Sequence, residues 1–365
     1  MVGTCFLKYI RLSVFNLFLD IGPLDDYIIM PDLRKHGGYS LRDRFKGLDL
    51  DHFKLVIEGQ ATLHAVSWAY KQHKGRNLKE MYPCLAVEGF ANMFEQFIEL
   101  FRPTIEREIE SFKSEPRIQN GLRNLHAVAV PATKLYFNMS LKEEEKHFTK
   151  DSVLQKPSQT VENEGKIYIQ QEKLNGRDID CDHRMRTEPW TVLRHGDCWN
   201  NNLLFRYDSI TGKPIEVIFI DLQSSMEGDP FGDLCYSLFV NVTQDVRKKH
   251  LTSLLHVYYD TFTEICERCS VPPLPGWSWE EFYRRFYRAQ VMGLAFAAAG
   301  LPLVLQNPDE VNDLEKFSVS EDGEGDDESM KQLASAMMGS NNVEYPVVKA
   351  RLRGVVEDGI DAGVI

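Results

Sequence analysis

The most informative stretch of this chain is R-H-G-D-C-W-N-N-N-L-L-F at residues 194–205, followed by F-I-D-L-Q at residues 219–223. Asp197 and Asn202 lie in a loop that ends where the short apolar segment LLFRYD begins, and Asp221 closes the next apolar segment, PIEVIFID. The Gly-containing segment SITGK between them predicts a hairpin of two strands. Because a hairpin places its two ends side by side, we expect both carboxylates and the carboxamide to meet at one edge.

This set of oxygen atoms suits a particular chemistry. Carboxylate and amide oxygens are suitable ligands for Mg²⁺, which takes one or two carboxylates and completes its shell with water and substrate phosphate. The order H-x-D-x-x-x-x-N, then a strand and an Asp, is the layout that protein kinases use for phosphoryl transfer. Each residue alone would be interpreted as structural, since Asp and Asn favour turns. Their order and strand context together predict a kinase-type site.

Composition places the chain among globular proteins. Of its 365 residues, 43% are hydrophobic and 26% are charged, and the formal net charge is −12. Duplex DNA and anionic membranes both attract an excess of Lys and Arg, so we expect neither nucleic acid nor membrane as a partner. The seven cysteines are irregularly spaced, and Cys266 and Cys269 lack further zinc ligands. We therefore expect free thiols in a reducing, cytoplasmic compartment.

The hydrophobic pattern predicts many helices and few strands. Besides the hairpin and a strand fragment before the H-G-D sequence, a short strand that runs into a connector is expected at Tyr27–Leu33, with HGG at 36–38 as turn material. Asp49 is the candidate N-cap of a helix that reaches about Lys71, in which His64 is expected to be packed and hydrogen-bonded. Further helices are expected at residues 87–114, 117–130, about 231–269 and 280–305, and from Val347 onward. This pattern favours a helix-rich α+β fold over alternating βαβ units.

Four other segments need a choice between a structural and a more specific interpretation. Val291–Leu305 is apolar but shorter than the roughly 20 residues that span a bilayer, so we interpret it as a buried core helix. The aromatic residues at 280–290 recur at helical spacing, which favours core packing over a substrate cage. The acidic residues 318–328 are expected to form a solvated loop. The first twenty residues are interrupted by Lys8 and Arg11 and predict no signal peptide.

The sequence HGDxWxNN, followed by IDxQ and GDPxxDL, resembles the CHK kinase-like family, also called ecdysteroid kinase-like, a relative of choline and aminoglycoside kinases. YIIMPDL and GLDLDHFKLVIEGQATLHAVSWA are similar to the family's hinge strand and first large-lobe helix, and YPVVKARLRGVVEDG is similar to its ending. The resemblance covers residues 27–360. It implies a protein-kinase-like fold that uses ATP and Mg²⁺ to phosphorylate a hydroxyl group of a small-molecule alcohol, such as an ecdysteroid.

The resemblance also implies roles for individual residues. Asp197 would be the catalytic base, and Asn202 and Asp221 would be the Mg²⁺ ligands. His195 would brace the catalytic loop. Asp233 would match the helix aspartate that accepts backbone N–H groups from that loop.

The segment before the hinge departs from the family pattern. Met30, Pro31 and Asp32 would form the hinge against which adenine stacks, and residues 1–26 precede it in place of a full N-terminal lobe. Neither G-x-G-x-x-G nor G-x-x-x-x-G-K-[ST] occurs in the sequence, and Lys8 lies too near the hinge for a strand, a helix and another strand to fit between them. We therefore expect residues 1–26 to be a remnant or atypical segment, and residues 27–360 to form the hinge and large lobe of a protein-kinase-like fold with a truncated small lobe.

Three functions stay open on the sequence alone. The first is an ATP-dependent small-molecule kinase, which Asp197, Asn202 and Asp221 favour. The second is a non-catalytic kinase-lobe remnant that acts as a binding or interaction module, or a truncated gene model, which the short N-terminal segment favours. The third is a metal-dependent hydrolase, which is disfavoured because no larger cluster of His and Asp accompanies the H-G-D sequence.

Overall fold

The computed structural model describes residues 17–20, 26–29, 32–85, 102–136, 190–305 and 346–365. The chain divides into two compact units. The first comprises Met1–Val87 and Pro189–Tyr287, and the second comprises Glu88–Glu188 and Arg288–Ile365. Several predictions fall outside the described residues, namely those for Lys8, Met30, Pro31 and the acidic residues 318–328.

The described residues contain seven short strands: β1 (Leu17–Asp20), β2 (Asp26–Ile29), β3 (Tyr39–Leu41), β4 (Val192–Arg194), β5 (Leu203–Tyr207), β6 (Pro214–Phe219) and β7 (Met226–Gly228). All pairings are antiparallel: β1 pairs with β2, β4 pairs with β7, and the third sheet has the order β3-β5-β6. The predicted strand fragment β4 and the predicted hairpin of β5 and β6 are confirmed. The sequence analysis does not predict the short strands β1, β3 and β7.

The described residues also contain nine α-helices: α1 (Leu33–Gly37), α2 (Leu50–Lys74), α3 (Leu78–Met81), α4 (Arg102–Ser111), α5 (Pro116–Tyr136), α6 (Phe231–Asn241), α7 (Gln244–Arg268), α8 (Trp279–Val304) and α9 (Pro346–Asp361). Helical residues far outnumber strand residues, so the predicted helix-rich α+β class is confirmed for this part of the chain.

The short strand predicted within Tyr27–Leu33 is confirmed as β2, but the connector predicted after it leads into a helix that the sequence analysis does not predict. β2 ends at Ile29, and α1 begins at Leu33 because the Asp32 carboxylate accepts hydrogen bonds from two backbone N–H groups of the first turn, at 3.0 and 3.1 Å. Gly38 ends the helix in the left-handed conformation, with φ of 67°. Gly37, which the sequence analysis assigned to a turn, therefore belongs to a capped single turn of helix.

Helix α2 carries much of the core of the first unit. Asp49 is its N-cap, as predicted: the carboxylate accepts a hydrogen bond from the backbone N–H of His52 at 3.1 Å. The helix ends at Lys74 and not near Lys71, because Gly75 takes the left-handed conformation that closes a helix (φ 64°). The helix packs against α7, β4 and β6, so it supports the strands on both sides of the candidate site.

A buried ion pair joins α2 to β7. Lys71 Nζ contacts Glu227 Oε1 and donates hydrogen bonds to the carbonyl and hydroxyl oxygens of Thr191 at 2.8 and 2.6 Å. Glu227 Oε2 accepts the backbone N–H of Lys79 at 2.8 Å. Burial lowers the pKa of Lys71, and the hydrogen bond to Glu227 opposes that change. Both charges have close partners, so this pair holds β4 and β7 in place and is not an open site.

The described part of the second unit is helical. Ile105 on α4, Ala129 on α5, and Ala295 and Ala299 on α8 form one buried cluster. By length and composition α8 could cross a membrane, but 67% of its most apolar window is buried within the protein. The predicted buried core helix at Val291–Leu305 is therefore confirmed, although the argument from length alone was insufficient.

The aromatic residues at the start of α8 divide into two groups. Phe282 and Phe286 are fully buried, with exposed fractions of 0% and 1%, which confirms core packing for this face of the helix. Tyr283 and Tyr287 are half-buried. The alternation follows the helical period that the sequence shows.

Candidate active site

The loop after β4 contains a glycine that other residues could not replace without strain. Gly196 has φ of 85°, and a Cβ atom there would lie 2.8 Å from the carbonyl carbon of Ser224. The loop backbone therefore passes directly over the segment that follows β6. This close approach explains the glycine of the H-G-D sequence, because it lets Asp197 reach the end of the hairpin.

Asp233, in the first turn of α6, anchors this loop from a fully buried position. Its carboxylate accepts the backbone N–H groups of His195 at 2.6 Å and Gly196 at 3.0 Å, and it also meets Arg194 Nε at 3.4 Å and His64 Nε2 at 3.2 Å. Burial by itself would raise the pKa of Asp233, but the hydrogen bond from His64 and the charge of Arg194 hold it well below its usual range. The ionised carboxylate thus fixes the path of the loop.

His195 links the loop to the hairpin. Its Nε2 lies 2.9 Å from the carbonyl oxygen of Ile220, and its Nδ1 lies 3.2 Å from the backbone nitrogen of Asp197. A carbonyl oxygen accepts and a backbone N–H donates, so these partners assign the proton to Nε2 and the lone pair to Nδ1. One imidazole therefore sets the distance between Asp197 and the residue that precedes Asp221.

The Asp197 carboxylate has a partner on each oxygen. The Tyr236 hydroxyl donates to Oδ1 at 2.9 Å, and Asn202 Nδ2 donates to Oδ2 at 3.1 Å and to the Asp197 carbonyl oxygen at 2.9 Å. Burial raises the pKa of Asp197, and the charge of Asp221 adds to this, while the hydrogen bonds from Tyr236 and Asn202 oppose it. The pKa stays raised, which makes this carboxylate a better proton acceptor than an exposed one.

Asp221 follows β6 in a backbone conformation that few residues other than glycine adopt. Its φ and ψ are 62° and 68°, in the left-handed region. Leu203 pairs with Phe219, and beyond that pair the backbone N–H of Ile220 donates to the carbonyl oxygen of Asn202 at 3.0 Å. The hairpin therefore brings the exposed Asp221 beside Asn202. Backbone strain of this kind is concentrated at functional sites.

The side-chain oxygen atoms at the hairpin end are suitable ligands for a Mg²⁺ ion. Both hydrogen bonds from Asn202 Nδ2 go to Asp197, so Asn202 Oδ1 is directed elsewhere, and no described residue donates a hydrogen bond to it. The Asp221 carboxylate is exposed, with Gln223 Nε2 at 3.4 Å. One carboxylate and one amide oxygen match an ion that completes its shell with water and phosphate. Within the described ranges no three His, Cys, Asp or Glu residues gather as a metal site of their own.

An apolar cluster lies next to these oxygens. Tyr39, Leu204 and Ile218 are buried together on one face of the β3-β5-β6 sheet, and the partly exposed Leu33 and Ile220 pack against them. Ile220 immediately precedes Asp221, so this apolar face continues into the candidate metal ligands. The sequence analysis does not single out these residues, because apolar side chains in strands are ordinarily part of a core.

A buried polar network lies behind the loop. His64 is packed and hydrogen-bonded, as predicted: besides Asp233, its Nδ1 lies 2.6 Å from the Tyr258 hydroxyl. Gln60 Nε2 donates to the Asp233 carbonyl oxygen at 3.3 Å and to Ser237 Oγ at 3.1 Å. A buried network in which each group has a partner rigidifies its surroundings. It thus supports the loop that carries Asp197.

Five residues that the sequence analysis names come together around the hairpin end: His195, Asp197, Asn202, Asp221 and Asp233. Their catalytic and metal-binding roles stay predictions. Of the predicted hinge, only Asp32 is described, and its carboxylate caps α1. Tyr236 is a functional candidate that the sequence analysis missed. Its position three residues after Asp233 on one helix is the signal that could have identified it.

A helix-rich α+β fold with an H-G-D loop, an Asn and a second Asp at one hairpin end defines a kinase-like class of protein. Within this class, the chain belongs to the ecdysteroid kinase-like family, whose family model matches residues 10–271. The match includes every residue of the candidate site and confirms the family resemblance found in the sequence. No curated protein and no solved structure matches the chain.

Proposed function

We propose that this chain is a kinase that uses ATP and Mg²⁺ to phosphorylate the hydroxyl group of a small molecule, an ecdysteroid-like compound or another small alcohol. The observation that carries the proposal is the double hydrogen bond from Asn202 Nδ2 to Asp197, at the hairpin end that also holds Asp221. A carboxylate with a raised pKa beside an amide oxygen and a second carboxylate supplies the base and the metal ligands that phosphorylation of a hydroxyl uses.

Asp197 would act as the base. The acceptor alcohol would give its O–H proton to the Asp197 carboxylate while the alcohol oxygen forms a bond to the γ-phosphorus of ATP. The bond between that phosphorus and the β,γ-bridging oxygen would break, and ADP would leave. Asn202 and Asp221 would hold Mg²⁺, whose charge, when it is bound, offsets that of the phosphate oxygens. Positioning of the reactants would supply much of the rate.

The apolar cluster of Tyr39, Leu204 and Ile218 supports a place for the adenine ring. Its two partly exposed members, Leu33 and Ile220, adjoin the predicted hinge in sequence and Asp221, respectively. An apolar face beside metal-binding oxygens is a suitable surface for a flat base whose phosphates extend toward a metal.

Composition supports the remaining parts of the proposal. The formal net charge of −12 makes nucleic acid and anionic membrane poor partners. The described cysteines at 84, 198, 235, 266 and 269 are all free thiols, which suits a cytoplasmic location.

The proposal is tested by incubating the purified chain with ATP and a panel of sterols and amino alcohols, with and without Mg²⁺. Mg²⁺-dependent phosphorylation of a panel alcohol, lost in Asp197→Asn and retained in Asp208→Asn at the other end of the hairpin, would support it. Mg²⁺-dependent nucleotide binding without transfer to any alcohol would favour the non-catalytic binding module instead. Metal-dependent hydrolysis in the absence of ATP would favour the hydrolase.

A further inference from the structure

One face of α6 follows the catalytic loop residue by residue. Asp233 binds the backbone N–H groups of the first two loop residues, the Tyr236 hydroxyl binds the side chain of Asp197, and Asn241 Nδ2 donates to the carbonyl oxygen of Cys198 at 2.9 Å. The order of contacts along the helix is the same as the order of residues along the loop.

The dimensions of the two segments explain this match. At 3.6 residues per turn, Asp233, Tyr236 and Asn241 fall within a sector of about 140° around the helix axis, so all three project from one side of the helix. From first to last they span about 12 Å at 1.5 Å per residue. The loop bends at Gly196, whose φ is 85°, and the residues on both sides of this bend contact the helix within that length. The loop therefore meets side chains at three heights along the helix.

The three contacts differ in what they hold. Asp233 and Asn241 bind backbone atoms and so fix the path of the loop. Tyr236 binds Oδ1 of the Asp197 carboxylate, while Asn202 occupies Oδ2. Two donors on opposite oxygens leave the carboxylate plane little freedom to rotate.

We propose that Tyr236 is a positioning residue for phosphoryl transfer, and that its hydroxyl holds the Asp197 carboxylate in the orientation that receives the proton of the acceptor alcohol. The proposal rests on the proposed kinase function. It extends that function, because it assigns a role in the reaction to Tyr236, which contacts the proposed base and is not one of the groups proposed to bind Mg²⁺ or ATP. Each carboxylate oxygen accepts more than one hydrogen bond, so the bond from Tyr236 leaves room for the alcohol.

The kinetic test compares Tyr236→Phe with Tyr259→Phe, using ATP, Mg²⁺ and the best alcohol of the panel. Tyr259 is a matched control, because its ring stacks on Trp277 and removal of its hydroxyl leaves that stacking intact. We expect kcat of Tyr236→Phe to fall about 10- to 100-fold, with the KM for alcohol and the affinity for nucleotide within about twofold of wild type. A kcat equal to that of Tyr259→Phe, or a fall matched by a rise in KM, would overturn the proposal.

A second measurement does not depend on turnover. The ¹³Cζ resonance of Tyr236 in tyrosine-labelled protein is assigned by its absence in Tyr236→Phe. We expect this resonance to move in Asp197→Ala, which removes its acceptor, and to stay in place in Tyr259→Phe. An unmoved resonance in Asp197→Ala would show that the contact is absent in solution and would overturn the inference.

The two measurements also separate the inference from the proposed function. A wild-type chain that phosphorylates no alcohol contradicts the proposed function and the reaction role of Tyr236, whatever the resonance shows. An active wild type with an unaffected Tyr236→Phe contradicts the role of Tyr236 alone.

Discussion

Gly59 on α2 lies directly against the ring of Phe219 on β6, so closely that a Cβ atom on Gly59 would be 2.8 Å from Phe219 Cζ. The same ring lies 5.9 Å, centroid to centroid, from the imidazole of His195. The Phe219 ring therefore lies between a glycine in the middle of a helix and the loop that carries Asp197. Helix, hairpin and loop cannot shift independently at this point.

The substitution Gly59→Ala is expected to destabilise the protein by about 1–3 kcal/mol, because overpacking displaces the Phe219 ring. The added methyl group would also push that ring toward His195, so turnover should fall. Gly300→Ala is the matched control, since a Cβ atom there meets no atom of the described residues within 4 Å. It should stabilise helix α8 by up to about 1 kcal/mol. Urea denaturation measures both effects, and equal stabilisation by the two substitutions would contradict the packing argument.

Asp221→Asn and Asp197→Asn should separate metal binding from base catalysis. Asn tolerates the left-handed backbone of Asp221, so Asp221→Asn removes a ligand charge without breaking the turn, and Mg²⁺-dependent nucleotide binding should be lost. Asp197→Asn should keep nucleotide binding and lower turnover about 10²- to 10⁴-fold. Calorimetric titration of ATP with and without Mg²⁺ measures the difference. Loss of nucleotide binding in both variants would contradict the separate roles.

Asp233→Asn should lower the free energy of unfolding by about 3 kcal/mol at neutral pH, because it leaves buried Arg194 without its carboxylate and turns an N–H group toward the loop amides. The pKa of Asp233 is lowered in the folded state. Its stabilisation is therefore complete above the unfolded pKa, near 4, and is lost as the pH falls below that value. Denaturation between pH 7 and pH 2 should show a steeper acid-dependent loss of stability in wild type than in the variant. Asp51→Asn, an exposed carboxylate in the first turn of α2, serves as the control.

His126 on α5 should make the second unit sensitive to mild acid. Burial lowers the pKa of its imidazole to about 4, and its Nδ1 has no hydrogen-bond partner among the described residues. The unfolded chain binds a proton near pH 6.5, so stability is full above that pH and declines as the pH falls toward 4, by up to about 3 kcal/mol. His126→Leu should flatten the dependence of unfolding on pH over this range, and His250→Gln should not. If the slope of the unfolding free energy against pH is the same in His126→Leu as in wild type, the imidazole of His126 is hydrated in the folded protein and the prediction is wrong.

Local sequence patterns predicted the elements whose signals are contained in short segments. The H-G-D loop, the hairpin and Asp221 lie within 30 residues, and hairpin geometry alone brings their side chains together. The N-cap at Asp49 is equally local, since its carboxylate binds an amide three residues away. Even so, the single turn of helix capped by Asp32 was missed, because the two glycines at 37 and 38 were interpreted as part of a turn.

The sequence by itself therefore determined the family, the helix-rich class and the candidate catalytic residues, because these depend on the order and spacing of neighbouring residues. Only the tertiary structure decided which groups hold that site in place. His64 and Asp233 are 169 residues apart, and Gly59 and Phe219 belong to different elements. Contacts of this kind form when separate helices and strands pack, so no local periodicity marks them. Tyr236 is the intermediate case, since its helical spacing from Asp233 is local but its contact with Asp197 requires the fold.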